Sequence, residues 1–259
     1  MDYVTNRAQA ASDERHAWAE PGVEDLGGGL YRIPLPLPGD ALTAVNVYAV
    51  TGDDGVDLID AGMALVQARE RLTEALSQLG YGLPDIKNFF VTHIHQDHYT
   101  LAVELRTTLR GQITLGEAER ANMDAIRDVS AGRAEVGFIE MLGAMGAADL
   151  AEQVRALLAP RLADPQPRLQ WSDPDHWLPD GALIDLPSRT LRAIHTPGHT
   201  TGHVVFHDEA AGLLFAGDHV LPHITPSIGF QPVITRSSLV QYLASLRLML
   251  TLPDTRLLP

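Results

Sequence analysis

A chain of 259 residues, 45% of them hydrophobic and 20% charged, has the size and composition of one globular α/β domain with a sizeable buried core. Its formal charge of −14 argues against a phosphate backbone as natural partner, because nucleic-acid binders carry a basic face that releases counterions. The absence of cysteine excludes disulfides and thiolate ligands together, so any metal must be held by nitrogen and oxygen.

Met1 to Gly22 is polar, lacks the apolar core of a secretion signal, and reads as a loosely docked arm. With no apolar run near the roughly 20 residues of a membrane span, the expected location is cytoplasmic, without a membrane partner. Gly27-Gly28-Gly29 is a turn that opens a strand at Leu30. No Gly-Lys-Ser/Thr follows, so it is not a phosphate loop. Ala44 to Val50 is the next strand. Ala64 to Leu79 has helical spacing, with Leu65, Leu72, Ala75, Leu76 and Leu79 on one side to cover a sheet.

Ile86 to Val91 reads as a buried strand, and where it ends stands Thr92-His93-Ile94-His95-Gln96-Asp97-His98. Residues two apart on an extended segment point the same way, so His93 and His95 present two nitrogens to one point, half of a tetrahedral site. Leu101, Leu105 and Leu109 then have helical spacing, which puts Asp97 and His98 at the start of a helix, able to turn back to the strand end. Strand ends are where α/β proteins place chemistry.

After the strand Gln112 to Leu115, residues 117–162 form a helical insertion rich in flexible apolar side chains: Met123, Ile126, Phe138, Ile139, Met141, Leu142, Met145 and Leu150. The insertion is either a lid over an apolar substrate group or a hairpin with methionine as core filler. In the Trp171 to Trp177 loop His176 is a turn residue, and Asp180-Gly181 makes a tight hairpin turn. Leu191 to Ile194 is a strand running into a Pro197-Gly198 turn that exposes His199. Leu213 to Ala216 repeats the plan: Gly217 allows close backbone approach and Asp218 offers two oxygens, enough to bridge two cations. His195, His207 and His219 receive no role.

These motifs, in order and spacing over nearly the whole length, resemble the metallo-β-lactamase superfamily. The resemblance implies an αβ/βα four-layer sandwich, two mixed β-sheets with outer helices, and a dinuclear site at one edge, with residues 1–259 forming a single metallo-hydrolase domain. It implies that His93, His95 and His199 hold one metal, and that Asp97, His98 and Asp218 hold a second, with Asp218 and a hydroxide bridging. Asp60 matches the first acidic motif, which orients the metal-binding loop, and His203 would give a hydrogen bond that fixes its loop. The family's last histidine follows a final strand, whereas this chain stops at Thr255 to Pro259, so it is expected to end just before that motif. Most members carry a glycine pair after the position of His98, where this chain has Tyr99-Thr100. Tyr99 and His223, the latter in a proline-stiffened loop, are candidate substrate contacts, and His223 is also a stand-in for the absent ligand.

The expected activity is metal-assisted hydrolysis of a small-molecule thioester or ester, resembling the glyoxalase II-like branch, with Asp97 holding or shuttling the proton. Two divalent ions are implied, zinc first, although iron and manganese accept the same ligands. The alternatives are a lactonase, another hydrolase of this fold such as an RNase, a mononuclear iron sulfur dioxygenase, and a non-catalytic metal-binding domain. An oligomer is compatible with the sequence.

Overall fold

Side chains alternate across each strand, and this alternation decides the layering. Phe89 and Val91 of β5 (Ile86–Val91) enter one apolar core, while Phe90 between them enters another. Leu58 and Ile59 of β4 (Gly55–Ile59) divide in the same way, as do Ala49 and Val50 of β3 (Ala44–Gly52). A sheet buried on both faces needs a layer on each side. The computed structural model supplies them; it describes residues 19–37, 42–130, 137–163, 171–233, 235 and 237–259. The expected arm lies, through residue 18, outside the described residues, as does the side chain of Phe138.

The first sheet has seven strands in the order β1 (Glu24–Gly27), β2 (Leu30–Pro36), β3, β4, β5, β6 (Gln112–Gly116) and β7 (His176–Leu178). Its first four strands pair antiparallel and β4 to β7 pair parallel. The second sheet has the order β12 (Arg256–Leu258), β11 (Leu213–Phe215), β10 (Val204–Asp208), β9 (Arg189–His195) and β8 (Leu183–Leu186), with only β11 and β12 parallel. Both sheets are therefore mixed. Leu30, Tyr48, Val50, Ile59 and Phe90 of the first meet Leu191, Val204, Phe206 and Phe215 of the second.

The outer face of the first sheet is covered by α1 (Val66–Gln78) through Ala68, Leu72, Ala75 and Leu76, and by α2 (Gln96–Arg106) through Leu101, Ala102 and Leu105. On the far side, Ile194, Val205 and Leu214 pack with Met249 at the end of α6 (Ser238–Met249). The layers are those of an αβ/βα sandwich. In the insertion, Met123 of α3 (Arg120–Ser130) joins the first core. Ile139 and Leu142 of α4 (Gly137–Ala144) pack with Ala151 of α5 (Ala148–Ala163) in a small core of their own.

Two sequence expectations need correction. Asp180 and Gly181 form a turn, but the strands they join, β7 and β8, lie in different sheets, so it is a crossing between layers and not a hairpin. Tyr99 is fully buried, stacked on Trp171 at 5.9 Å with its hydroxyl donating to the Ser172 carbonyl, so it is core and not a substrate contact. The reason is helical geometry: two residues beyond Asp97 on a helix is about 200° around the axis.

Candidate metal centre

Parallel pairing from β4 through β6 brings the ends of these strands to one edge. There Asp60 follows Ile59, the histidine run follows Val91, and β9 and β11 deliver His199 and Asp218 from the second sheet. Donor atoms of His93, His95, His199 and Asp218 all lie within 4.8 Å of one another. His199 Nε2 is 3.2 Å from His93 Nε2, 2.9 Å from His95 Nδ1 and 3.3 Å from Asp218 Oδ2. Zinc with nitrogen ligands at its usual bond length would set tetrahedral edges of about 3.3 Å.

Hydrogen bonds on the far side of each ring fix which nitrogen is bare. His199 Nδ1–H donates to the Ser227 carbonyl at 2.7 Å, and His95 Nε2–H donates to the Phe230 carbonyl at 2.8 Å. Thr92 Oγ1–H donates to the Asp60 carboxylate, which leaves Thr92 Oγ1 to accept from His93 Nδ1–H at 3.0 Å. Three lone pairs therefore face one another, which is repulsive unless a proton or a cation lies between them. Burial disfavours the proton: it pushes His199 down to about 4, helped by neighbouring His95, and holds His93 well below the ordinary histidine range, helped by the surrounding imidazoles. The donor set thus fits a divalent cation.

A second cluster adjoins the first through Asp218. His98 Nδ1–H donates to Asp60 Oδ2 at 2.9 Å, so its buried Nε2, without a hydrogen-bond partner among the described residues, faces Asp218 Oδ1 at 3.4 Å and Asp97 Oδ2 at 3.7 Å. Burial alone would depress His98, but the carboxylates of Asp60, Asp218 and Asp97 outweigh it and raise its pKa well above the ordinary value. They favour positive charge at Nε2, whether proton or metal. Asp218 is held well below the carboxylate range, chiefly by His98, against the opposing effect of its own burial.

Local backbone geometry lets these groups meet. Asp60 has φ +60°, an uncommon left-handed conformation for a non-glycine residue, and its carboxylate accepts from Thr92 N–H at 2.8 Å as well as from Thr92 Oγ1 and His98. Gly217 has φ +48°, and a Cβ there would lie 2.7 Å from Thr92 Oγ1 and 3.0 Å from His203 Nε2. His203 packs its ring on His93 at 5.0 Å and hydrogen-bonds Thr196 Oγ1 at 2.9 Å, so it touches His93 by stacking and its own loop through Thr196. His223 is exposed and shares with Asp97, His98 and Asp218 a cavity of 710 Å³. No described residue between 117 and 162 lines that cavity. His219, given no role above, is fully buried with its ring 6.0 Å from His203. Thr92, Ser227 and Phe230 are parts of the site that sequence reasoning missed. Thr92 stood inside the histidine run, but backbone carbonyls carry no side-chain signal.

Among families of known proteins, the model of the metallo-beta-lactamase superfamily matches residues 40–259. A metallo-beta-lactamase family protein of Thermus thermophilus is similar in structure, with TM-score 0.69 and 28% identity over 89% of this chain and 72% of that one. A subclass B3 metallo-beta-lactamase of Bradyrhizobium japonicum shares the fold at TM-score 0.61, with 17% identity over 93% of this chain and 78% of that one. An atrochrysone carboxyl ACP thioesterase of Aspergillus novofumigatus is 24% identical over 84% of this chain and 51% of its own length. A hydroxyacylglutathione hydrolase of Aeromonas salmonicida is 48% identical over 17% of this chain and 18% of its own. The chain thus spans about half or less of these two curated relatives.

Proposed function

Because this chain belongs to the metallo-beta-lactamase superfamily, we propose that it is a metal-dependent hydrolase of a thioester or ester with a small acyl group. The observation that carries the reading is the convergence of bare His93, His95 and His199 nitrogens on Asp218, with Asp97 and His98 completing a second cluster on the same carboxylate. The thioester is favoured over other bonds by the named thioesterase among the relatives, and the acylglutathione hydrolase points the same way.

Divalent cations held there would lower the pKa of a bound water toward neutrality and would polarise the attacked carbonyl. The rest of the work falls to the chain's own groups. His93, His95 and His199 would hold one ion, and Asp97, His98 and Asp218 the other, with Asp218 presenting one oxygen to each cluster. The Ser227 and Phe230 carbonyls keep two rings aimed inward and in the right tautomer. Asp97 stands at the first turn of α2 and lines the cavity, where its carboxylate can take a proton and return it to the leaving sulfur or oxygen. His223 faces the same cavity and is placed to contact the substrate.

Assay of the purified protein on a panel of acyl thioesters, oxygen esters and lactones tests this. Turnover on thioesters, lost with metal in His95→Ala and Asp218→Ala, is the expected result. Unchanged turnover in either variant, or oxygen consumption with a single iron in place of hydrolysis, would overturn it.

A further inference from the structure

Behind the ligands lies a buried polar cluster that the chemistry above does not use. Glu119, in the single turn after β6, is fully buried. Its carboxylate accepts a short hydrogen bond from Thr200 Oγ1, next to His199, and one from Asn122 Nδ2 at 2.6 Å. Burial raises its pKa above the ordinary carboxylate range, opposed by these two bonds, by nearby His95 and by the backbone of Ile94 between His93 and His95. Among the described residues no lysine or arginine is paired with this carboxylate, so it is a buried acid without a cationic partner unless the metal centre provides one. Contact here is tight: a Cβ on Gly202 would fall 2.3 Å from the Glu119 nitrogen.

Asn122 extends the cluster. Its Nδ2 also lies 2.9 Å from Thr201 Oγ1 and 3.0 Å from Gln231 Oε1, and its Oδ1 accepts from Val233 N–H at 3.1 Å. Gln231 Oε1 accepts in addition from Thr201 N–H at 2.6 Å. These bonds tie residues 227–233 to the turn at 199–201, and Gly229 N–H closes the tie by donating to the Gly198 carbonyl at 2.9 Å. The tied segment is the one whose Ser227 and Phe230 carbonyls fix the tautomers of His199 and His95.

We propose that Glu119 and Asn122 are positioning residues, a buried clamp joining the His93–His95 loop, the His199 turn and segment 227–233, and so setting the aim and tautomer of His95 and His199. The clamp rests on the metal-site reading given above. It also makes α3, the first helix of the insertion, part of the support of the metal centre, since Asn122 belongs to that helix. Groups that orient a metal's ligands typically change metal affinity or activity by about 10- to 100-fold when removed.

The test uses the full chain as wild type, Glu119→Gln and Asn122→Ala, titrated with Co²⁺. Visible absorption reads ligand geometry, competition with a chelator reads affinity, and circular dichroism reads the fold. The expected result is folded variants whose cobalt affinity is about 10- to 100-fold weaker and whose visible spectrum is shifted. Wild-type affinity and spectrum in the folded variants would overturn the clamp while leaving the metal site standing. No cobalt uptake by the wild type would overturn both. If Asn122→Ala fails to fold, Glu119→Gln decides alone, because it keeps the size of the side chain while replacing one of the two acceptor oxygens that face Thr200 and Asn122 with an amide donor.

Discussion

Asp60 shows how one side chain sets up several others. Its carboxylate accepts a hydrogen bond from Thr92, so that Thr92 can accept from His93 and leave His93 Nε2 bare, and accepts another from His98 Nδ1–H, which turns His98 Nε2 toward Asp218 and Asp97. Gly217 is the steric counterpart, because Thr92 occupies the space where a Cβ would go. Gly217→Ala is therefore expected to cost at least 1–2 kcal/mol, from the left-handed backbone and the clash with Thr92, and to weaken metal retention. Thermal unfolding and chelator competition check this; a melting temperature and metal affinity equal to wild type would contradict it. At this scale the sequence was most legible where residue type and strand-end position coincided, as at His93, His95, His199 and Asp218. Tyr99 misled because its neighbours in sequence, Asp97 and His98, belong to the candidate site while its own direction on the helix is set by a 100° step. The Ser227 and Phe230 carbonyls had no legible signal, since any residue can supply one.

Each residue of the candidate site lies at or just beyond the end of a regular element, so the stiffness of the site is that of the elements behind it. On the second sheet this support is α6, whose Tyr242 hydroxyl donates to the His219 carbonyl at 3.0 Å and whose Ser245 hydroxyl donates to the Pro197 carbonyl at 2.9 Å. The helix thus touches the loops of both Asp218 and His199. A Cβ on Gly198, at φ +140°, would lie 2.4 Å from Tyr242 Cβ and 2.6 Å from its backbone nitrogen. Gly198→Ala must therefore push helix and His199 loop apart. The expected outcome is a folded protein with a lowered melting temperature and reduced metal uptake, read by calorimetry and elemental analysis; full metal uptake would show that the loop does not depend on the helix. The strands β5, β9 and β11 were legible as apolar runs broken by chemistry. The partition of β7 and β8 between sheets was not, because a turn of Asp-Gly type looks the same whether its strands pair with each other or with different neighbours.

In the whole molecule, two sheets bury their facing sides and histidines gather at the common edge, which couples stability to pH. Burial pushes His199 and His219 down to about 4 from the ordinary 6.5. A histidine whose folded pKa is depressed stabilises the fold above its unfolded pKa, and that contribution fades as pH falls. Each would lose about 1.4 kcal/mol per pH unit between roughly 6.5 and 4, so metal-free protein is expected to melt progressively lower across that window. Raised-pKa His98 works in the opposite direction, losing its contribution as pH rises, so its share appears on the alkaline side. A melting temperature flat from pH 7 to 4 would contradict the burial of these rings. The sandwich was legible through the resemblance of the motifs to a known family and not through periodicity, because strands buried on both faces, such as β4 and β5, read as apolar runs without alternation. The small core formed by α4 and α5 was not, because methionine and leucine at helical spacing serve a lid and a hairpin equally well.

The claim on which the rest depends is that His93, His95, His199 and Asp218 hold metal. Elemental analysis of the protein purified without added metal or chelator, beside His95→Ala and Asp218→Ala, tests it directly. Two divalent ions per chain in the wild type, with loss in both variants and greatest loss in Asp218→Ala because both clusters share that carboxylate, is the predicted result. A metal-free wild type, or metal retained undiminished in both variants, would contradict it.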